Sequence, residues 1–402
     1  LAVARSRRFI IIAALLLLAA ILRDHAVRHL PIDFDEPVYF TAGLTYTEAI
    51  RAGRLNQLDT LDPSPEHPGL VKLIYAAVFR RYPPAPPLPD NPAAPLPPTL
   101  REMGLAARRS SAVFGVLHVL LLALVSPAAG ALLAVHSYTV KYTSQVYLEA
   151  VPMFTASVCV LAYMRARRSS RKEREGGKER QEESETLRLD LPWRPWREPL
   201  LFGAISAVAL GLTAAGKYIY AVAGLAVAVD ALWAIGQQRR PRGLLVLFGW
   251  GGLALLVFLA ANPYLWPNPI GRLLDSLAFH AAYSQSAHVQ QSGYPWYQPF
   301  VWLVAPLPLR WHPGAILVGL EPLVAFLGVI GIRPMWRAPG GRGRVVVLWW
   351  AIGLVFTLLW RTKWPQYSLV MIAPLALCAA EGLRLLWRRV PDDLRAILTS
   401  HE

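Results

Sequence analysis

Asp33-Phe34-Asp35-Glu36-Pro37-Val38-Tyr39 places three carboxylates just beyond the first long apolar run of the chain. Carboxylates so placed can accept protons at a membrane surface. They can equally cap a helix that starts at Pro37, where negative charge complements the helix dipole and proline suits the first turn. Some thirty residues on, Glu66-His67-Pro68-Gly69-Leu70-Val71-Lys72 adds an acid, an imidazole and an ammonium within one turn-rich motif. A second set of groups lies further along: Glu149, Lys217, Arg272, Arg361, Lys363, Gln366 and Tyr367, all next to apolar runs.

The elements that must position these groups are membrane helices. Hydrophobic residues make up 54% of the chain, more than one soluble core needs, and they fall in blocks. Ten segments are long and apolar enough to be expected as spans: Phe9–Leu22, Leu105–Val125, Ala128–Val140, Leu148–Met164, Leu200–Ala215, Tyr218–Gly236, Leu244–Ala261, Gly314–Ile332, Val345–Trp360 and Ser368–Trp387. The third and fourth carry the weakest signal. No small-residue cleavage site follows Phe9–Leu22, so an uncleaved anchor is expected.

The net charge of +15 does not point to nucleic acid, because the Arg and Lys residues cluster in short segments between apolar blocks, as topogenic signals do. Basic residues are retained on the cytoplasmic side. With ten spans and both termini inside, Arg5–Arg8, 165–198, Arg239–Arg242, Arg333–Arg344 and Arg388-Arg389 all fall in the cytoplasm. The acid motif, the His-Pro motif, Asn262–Pro308 and Arg361–Tyr367 then fall outside. Cys159 and Cys378 lie within apolar runs and read as small buried hydrophobes.

The expected organisation is a single all-α polytopic membrane domain, 1–402. Residues 23–104 form a first extracytoplasmic loop carrying both motifs, and 165–198 form a charged cytoplasmic loop, disordered or loosely helical. Within the outer loops, Val38–Ala52, Leu70–Phe79 and Ile270–His288 read as interfacial helices, and Tyr82–Pro98 as an extended proline-rich linker.

The two motifs, in this order and in one loop, resemble those of the GT-C superfamily of polyprenyl-phosphate-dependent glycosyltransferases, notably the protein O-mannosyltransferases and the aminoarabinose transferases of lipid A. Glu66-His67-Pro68-Gly69-Leu70-Val71-Lys72 is similar to the His-Pro-Pro-Leu-Gly-Lys element of the former, with Gly69 in place of the second proline and Val71 in place of the glycine. The resemblance implies a GT-C-type helix bundle and transfer of a sugar from a polyprenyl-phosphate donor to an acceptor hydroxyl, with inversion, at the outer face of the plasma membrane.

It implies Asp35 as general base, with Glu36 and Glu149 as further catalytic acids. Asp33, Glu66, His67, Lys72, Lys217, Arg272, Arg361, Lys363, Gln366 and Tyr367 would bind substrate. Capping at Asp33–Glu36, snorkelling at Glu149 and helix C-terminal capping by Lys217 and Arg361 are the competing structural roles. No cofactor is required, although Asp33 and Asp35 form the Asp-x-Asp pair that holds a divalent cation in oligosaccharyltransferase-type relatives; Mg²⁺ or Mn²⁺ would need oxygen ligands beyond these two, with Glu149 placed to be a third. The partners are the polyprenyl-linked donor, membrane lipids and an acceptor that is protein, glycan or lipid. A transporter or flippase for such lipids, or an inactive lipid-binding relative, would share the many spans. A transporter would be expected to place polar groups at mid-membrane in paired repeats.

Overall fold

The computed structural model describes residues 2–86, 97–183, 194–239, 241–341 and 343–390, and these are helical with no β-strand among them. Six helices are long and apolar enough to cross a membrane: Ser6–His29, Pro98–Val125, Glu198–Gly216, Tyr218–Gln237, Arg242–Ala260 and Pro365–Trp387. They coincide with six of the ten expected segments.

The other four take different forms. Val345–Trp360 appears as Arg344–Leu359 and Gly314–Ile332 as Glu321–Trp336, each of 16 residues, about 24 Å of helix against a hydrocarbon core of about 30 Å. Leu148–Met164 is the start of Ala150–Glu183, which carries the helix well into the charged loop; residues 184–193 lie outside the described residues. Ala128–Val140 breaks into Pro127–Ala134 and Ser137–Tyr142. The break falls at Val135-His136, and Glu321 accepts hydrogen bonds from the Ser137 amide and hydroxyl, each at 2.6 Å. That carboxylate replaces the helical partners lost at the break.

The bundle is graded from centre to rim. Pro365–Trp387 is the most enclosed span and Arg242–Ala260 the least, so the latter presents its apolar side chains outward. Enclosure follows from small residues. A Cβ on Gly331 would strike the Cys378 carbonyl and one on Gly382 would strike that of Leu327, so Glu321–Trp336 and Ile372–Trp387 touch backbone to backbone. Of the expected interfacial helices, Leu70–Phe79 has the predicted ends, Val38–Ala52 is found as Glu36–Arg51, and Ile270–His288 divides into Pro269–Tyr283 and Ala287–Ser292. Much of the proline-rich linker, 87–96, lies outside the described residues.

Candidate active site

The acid loop is fixed by its most buried member. Glu36 accepts two hydrogen bonds from Arg108, at 2.8 and 2.5 Å, and one from the Val146 amide at 2.7 Å. Arg108 also donates to the carbonyls of Val27, Leu30 and Pro31, which closes the end of the first helix. The pair therefore sets where the chain leaves the membrane and where Glu36–Arg51 begins. Charge-assisted bonds of this kind are short and directional.

Asp35, next in line, is half-buried, and its carboxylate caps nothing: it makes no side-chain bond to the helix N-terminus that follows it. Burial raises its pKa; Lys217 and Lys141 pull it down while Glu149 and Asp33 push it up. It thus stands unbonded between two lysine–carboxylate pairs. Lys141 holds Asp33, and Lys217 holds Glu149. Burial acts to raise the Asp33 pKa, but the charge and hydrogen bond of Lys141 outweigh it and the net shift is downward. Both lysines also face aromatic rings, Lys141 at 4.2 Å from the centre of Tyr142 and Lys217 at 5.4 Å from that of Tyr367. One oxygen of Glu149, Oε2, is buried without a hydrogen-bond partner.

The His-Pro motif folds back toward this group. Its lysine does not reach the open site: Lys72 is fully buried and bonds Asp62 at 2.9 and 2.7 Å, the Ser64 carbonyl at 2.5 Å and the His67 carbonyl at 2.9 Å. Tyr46 completes the Asp62 shell at 2.8 Å. Lys72 thereby ties down the turn that presents His67. Gly69 donates its amide to Asn262 at 2.5 Å, and a Cβ there would crowd Asn262, Tyr46 and Pro263, so glycine lets the motif dock on the Asn262-Pro263 turn.

His67 Nε2 lies 3.3 Å from the hydroxyl of Tyr39, one helical turn beyond Asp35. Burial, then Lys217, His280 and Lys72, hold the His67 pKa well below that of a free imidazole, so it is neutral. Burial raises the neighbouring Glu66. The His280 ring packs 5.4 Å from that of His67, and burial lowers its pKa too.

The cations near the C-terminus divide. Lys363 donates to the carbonyls of Thr357, Leu358 and Trp360 and so closes the helix Arg344–Leu359, whereas Arg361 is exposed and makes no hydrogen bond or ion pair among the described residues. Arg272 pairs with Asp59 at 3.1 Å, its guanidinium 5.2 Å from the Tyr264 ring. Gln366 is buried beside Tyr367.

The structure thus gathers Asp33, Asp35, Glu149, Lys217, Glu66, His67 and Tyr367 about one centre, and commits Glu36, Lys72, Lys363 and Arg272 to contacts that shape its surroundings. Sequence reasoning missed Arg108, Lys141, Asp62, Tyr39 and His280. Arg108 and Lys141 had a signal: each is a cation within or at the end of an apolar segment, where charge is costly and needs a partner. Among the described residues no group of three or more His, Cys, Asp or Glu is set to hold a metal, and Asp33 is already given to Lys141.

No family model and no curated protein matches the sequence. Among solved structures, ArnT from Cupriavidus metallidurans in the apo state superposes with a TM-score of 0.58 at 13% identity, over 95% of this chain and 60% of that one. The same protein bound to undecaprenyl phosphate gives 0.53 at 17%, over 94% and 60%. The apo oligosaccharyltransferase of Archaeoglobus fulgidus gives 0.51 at 12%, over 96% and 52%. The chain thus spans 60% of the length of ArnT and 52% of the oligosaccharyltransferase. Nearly all of this chain is matched in each, and its architecture is that of a polytopic membrane protein with the GT-C fold.

Proposed function

We propose that the protein is a membrane glycosyltransferase that moves a sugar from a polyprenyl-phosphate donor to an acceptor hydroxyl on the extracytoplasmic face of the plasma membrane, with Asp35 as general base. The observation that carries this reading is the unbonded carboxylate of Asp35 between the Lys141–Asp33 and Lys217–Glu149 pairs. The undecaprenyl phosphate bound to ArnT supports a carrier lipid of that kind.

In the proposed step the acceptor oxygen attacks the anomeric carbon from the face opposite the phosphate, which inverts the configuration. Its proton passes to Asp35 as the carbon–oxygen bond to phosphate breaks, and the electron pair leaves with the phosphate. A raised pKa makes Asp35 a stronger base. Lys217 and Arg361 take up the charge on the departing phosphate; Glu149 holds Lys217 in place until the donor arrives. Neutral His67, with Tyr39, hydrogen-bonds the sugar or phosphate without adding charge. Glu66 and Tyr367 line the same centre.

In this assignment Glu36, Lys72, Lys363 and Arg272 support the site and do not touch substrate. The experiment is to incubate the purified protein with radiolabelled undecaprenyl-phosphate sugars and follow transfer or slow hydrolysis. Donor consumption supports an enzyme; vesicle-to-vesicle movement of intact donor without consumption would make it a transporter.

A further inference from the structure

From Ser276 to Leu309 the chain has no Asp, Glu, Lys or Arg, in a protein of net charge +15. Part of this neutral stretch lies against the acid loop. Phe34, between Asp33 and Asp35, is 77% exposed and stacks on His288, with ring centres 5.5 Å apart and planes 17° from parallel. His288 lies 5.1 Å from Trp364, and Trp364 meets Tyr294 edge-on at 5.9 Å. A wall of rings thus leads away from the candidate base. Core packing does not explain it, since its first ring is open to solvent beside two carboxylates. Three positions before and after His288, Gln285 and Gln291 are exposed, and their side-chain amides make no hydrogen bond among the described residues.

We propose that this wall is the acceptor subsite and that the acceptor is a neutral glycan; the proposal rests on the glycosyltransferase reading above. An anionic acceptor would need countercharges, and this stretch supplies none. The C–H faces of a neutral sugar carry slight positive charge and suit the negative faces of the rings. Its hydroxyls suit side-chain amides and imidazole, which both donate and accept. A membrane surface also favours uncharged aromatic residues. The position of Phe34 beside Asp35 favours the glycan, because a ring there borders the reacting hydroxyl.

The test uses the full chain in phosphatidylcholine nanodiscs. Saturation-transfer NMR is recorded with neutral gluco-, manno- and arabino-oligosaccharides, a galacturonate oligomer and a Ser/Thr-rich peptide. At least one neutral oligosaccharide should bind, the uronate should not, and His288→Ala or Tyr294→Ala should weaken binding about tenfold, as loss of one stacked ring implies. Binding of the uronate or the peptide alone, or of nothing, overturns the proposal. So does unchanged saccharide binding in both variants. Tryptophan quenching by brominated lipid without saccharide binding would assign the wall to the membrane. Donor hydrolysis without acceptor, measured in parallel on the unaltered protein, reports the glycosyltransferase reading: its presence with no saccharide bound defeats only the acceptor proposal, and its absence with saccharide bound defeats the transfer reading and leaves the wall a neutral-glycan site with no acceptor role.

Discussion

Lys72 and Asp62 form an ion pair closed to solvent on both sides, with Nζ 2.7 Å from Oδ2. The sequence offers Lys72 as a phosphate ligand, yet its ammonium is enclosed by Asp62 and two carbonyls. The consequence for the site is indirect: the pair holds the turn on which His67 stands.

Lys72→Met should therefore act on folding. Removing one partner of a buried pair leaves the other charge uncompensated, a cost of about 3–5 kcal/mol, and Lys72→Met/Asp62→Asn should recover much of it. Thermal unfolding of the detergent-solubilised variants measures both. A Lys72→Met protein of full stability but weakened donor binding would return Lys72 to the phosphate site.

Arg361 and Lys363 should separate in the same way. Arg361 is free to meet a lipid phosphate, and its loss in Arg361→Gln should weaken donor binding about fivefold, as about 1 kcal/mol per cation near such charge implies. Lys363→Gln should lower Tm, since Lys363 closes a helix end. Equal donor affinity in Arg361→Gln and the unaltered protein would place the phosphate elsewhere.

The fold was legible because local patterns determine it, whereas both ends of the expected loop 23–104 belong to the helices Ser6–His29 and Pro98–Val125. Apolar runs mark the spans, and Leu70–Phe79 is bounded by Gly69 and Arg80 in the sequence as in the structure. The partners of the charged residues were not legible. Arg108 meets Glu36 across 72 positions and Lys141 meets Asp33 across 108, so only packing reveals them. The same holds for the break in Ala128–Val140: its stretch is apolar, but Glu321, far along the chain, supplies the bonds that let it break. Asp35 could be picked out as the candidate base by resemblance alone. That it caps nothing is a property of the folded loop.

The orientation of the site rests on the basic-loop bias. Cys159 and Cys378 are buried, so the protein offers a low background for thiol labelling. In intact cells an impermeant maleimide should label Ala85→Cys and should label Arg171→Cys only after permeabilisation. The reverse pattern would place Asp35 and its neighbours in the cytoplasm.

The acid limb of the pH profile should report Asp35. Burial raises its pKa, so protonation removes the base at a higher pH than for a free aspartate of about 3.9. Transfer should be full above the raised value and fall as pH drops through it. His67, already neutral, should add no limb near the usual imidazole value. A kcat/KM profile flat down to ordinary carboxylate pH would remove Asp35 from the proton transfer.

The account depends most on Asp35 as base, and Asp35→Asn tests it directly: the size is kept and the proton acceptor is lost. With purified, folded protein and radiolabelled polyprenyl-phosphate sugar, donor binding should persist while transfer falls on the order of 10²-fold or more. Near-normal transfer in a folded Asp35→Asn protein would contradict the account and move the base to Glu149 or Glu66.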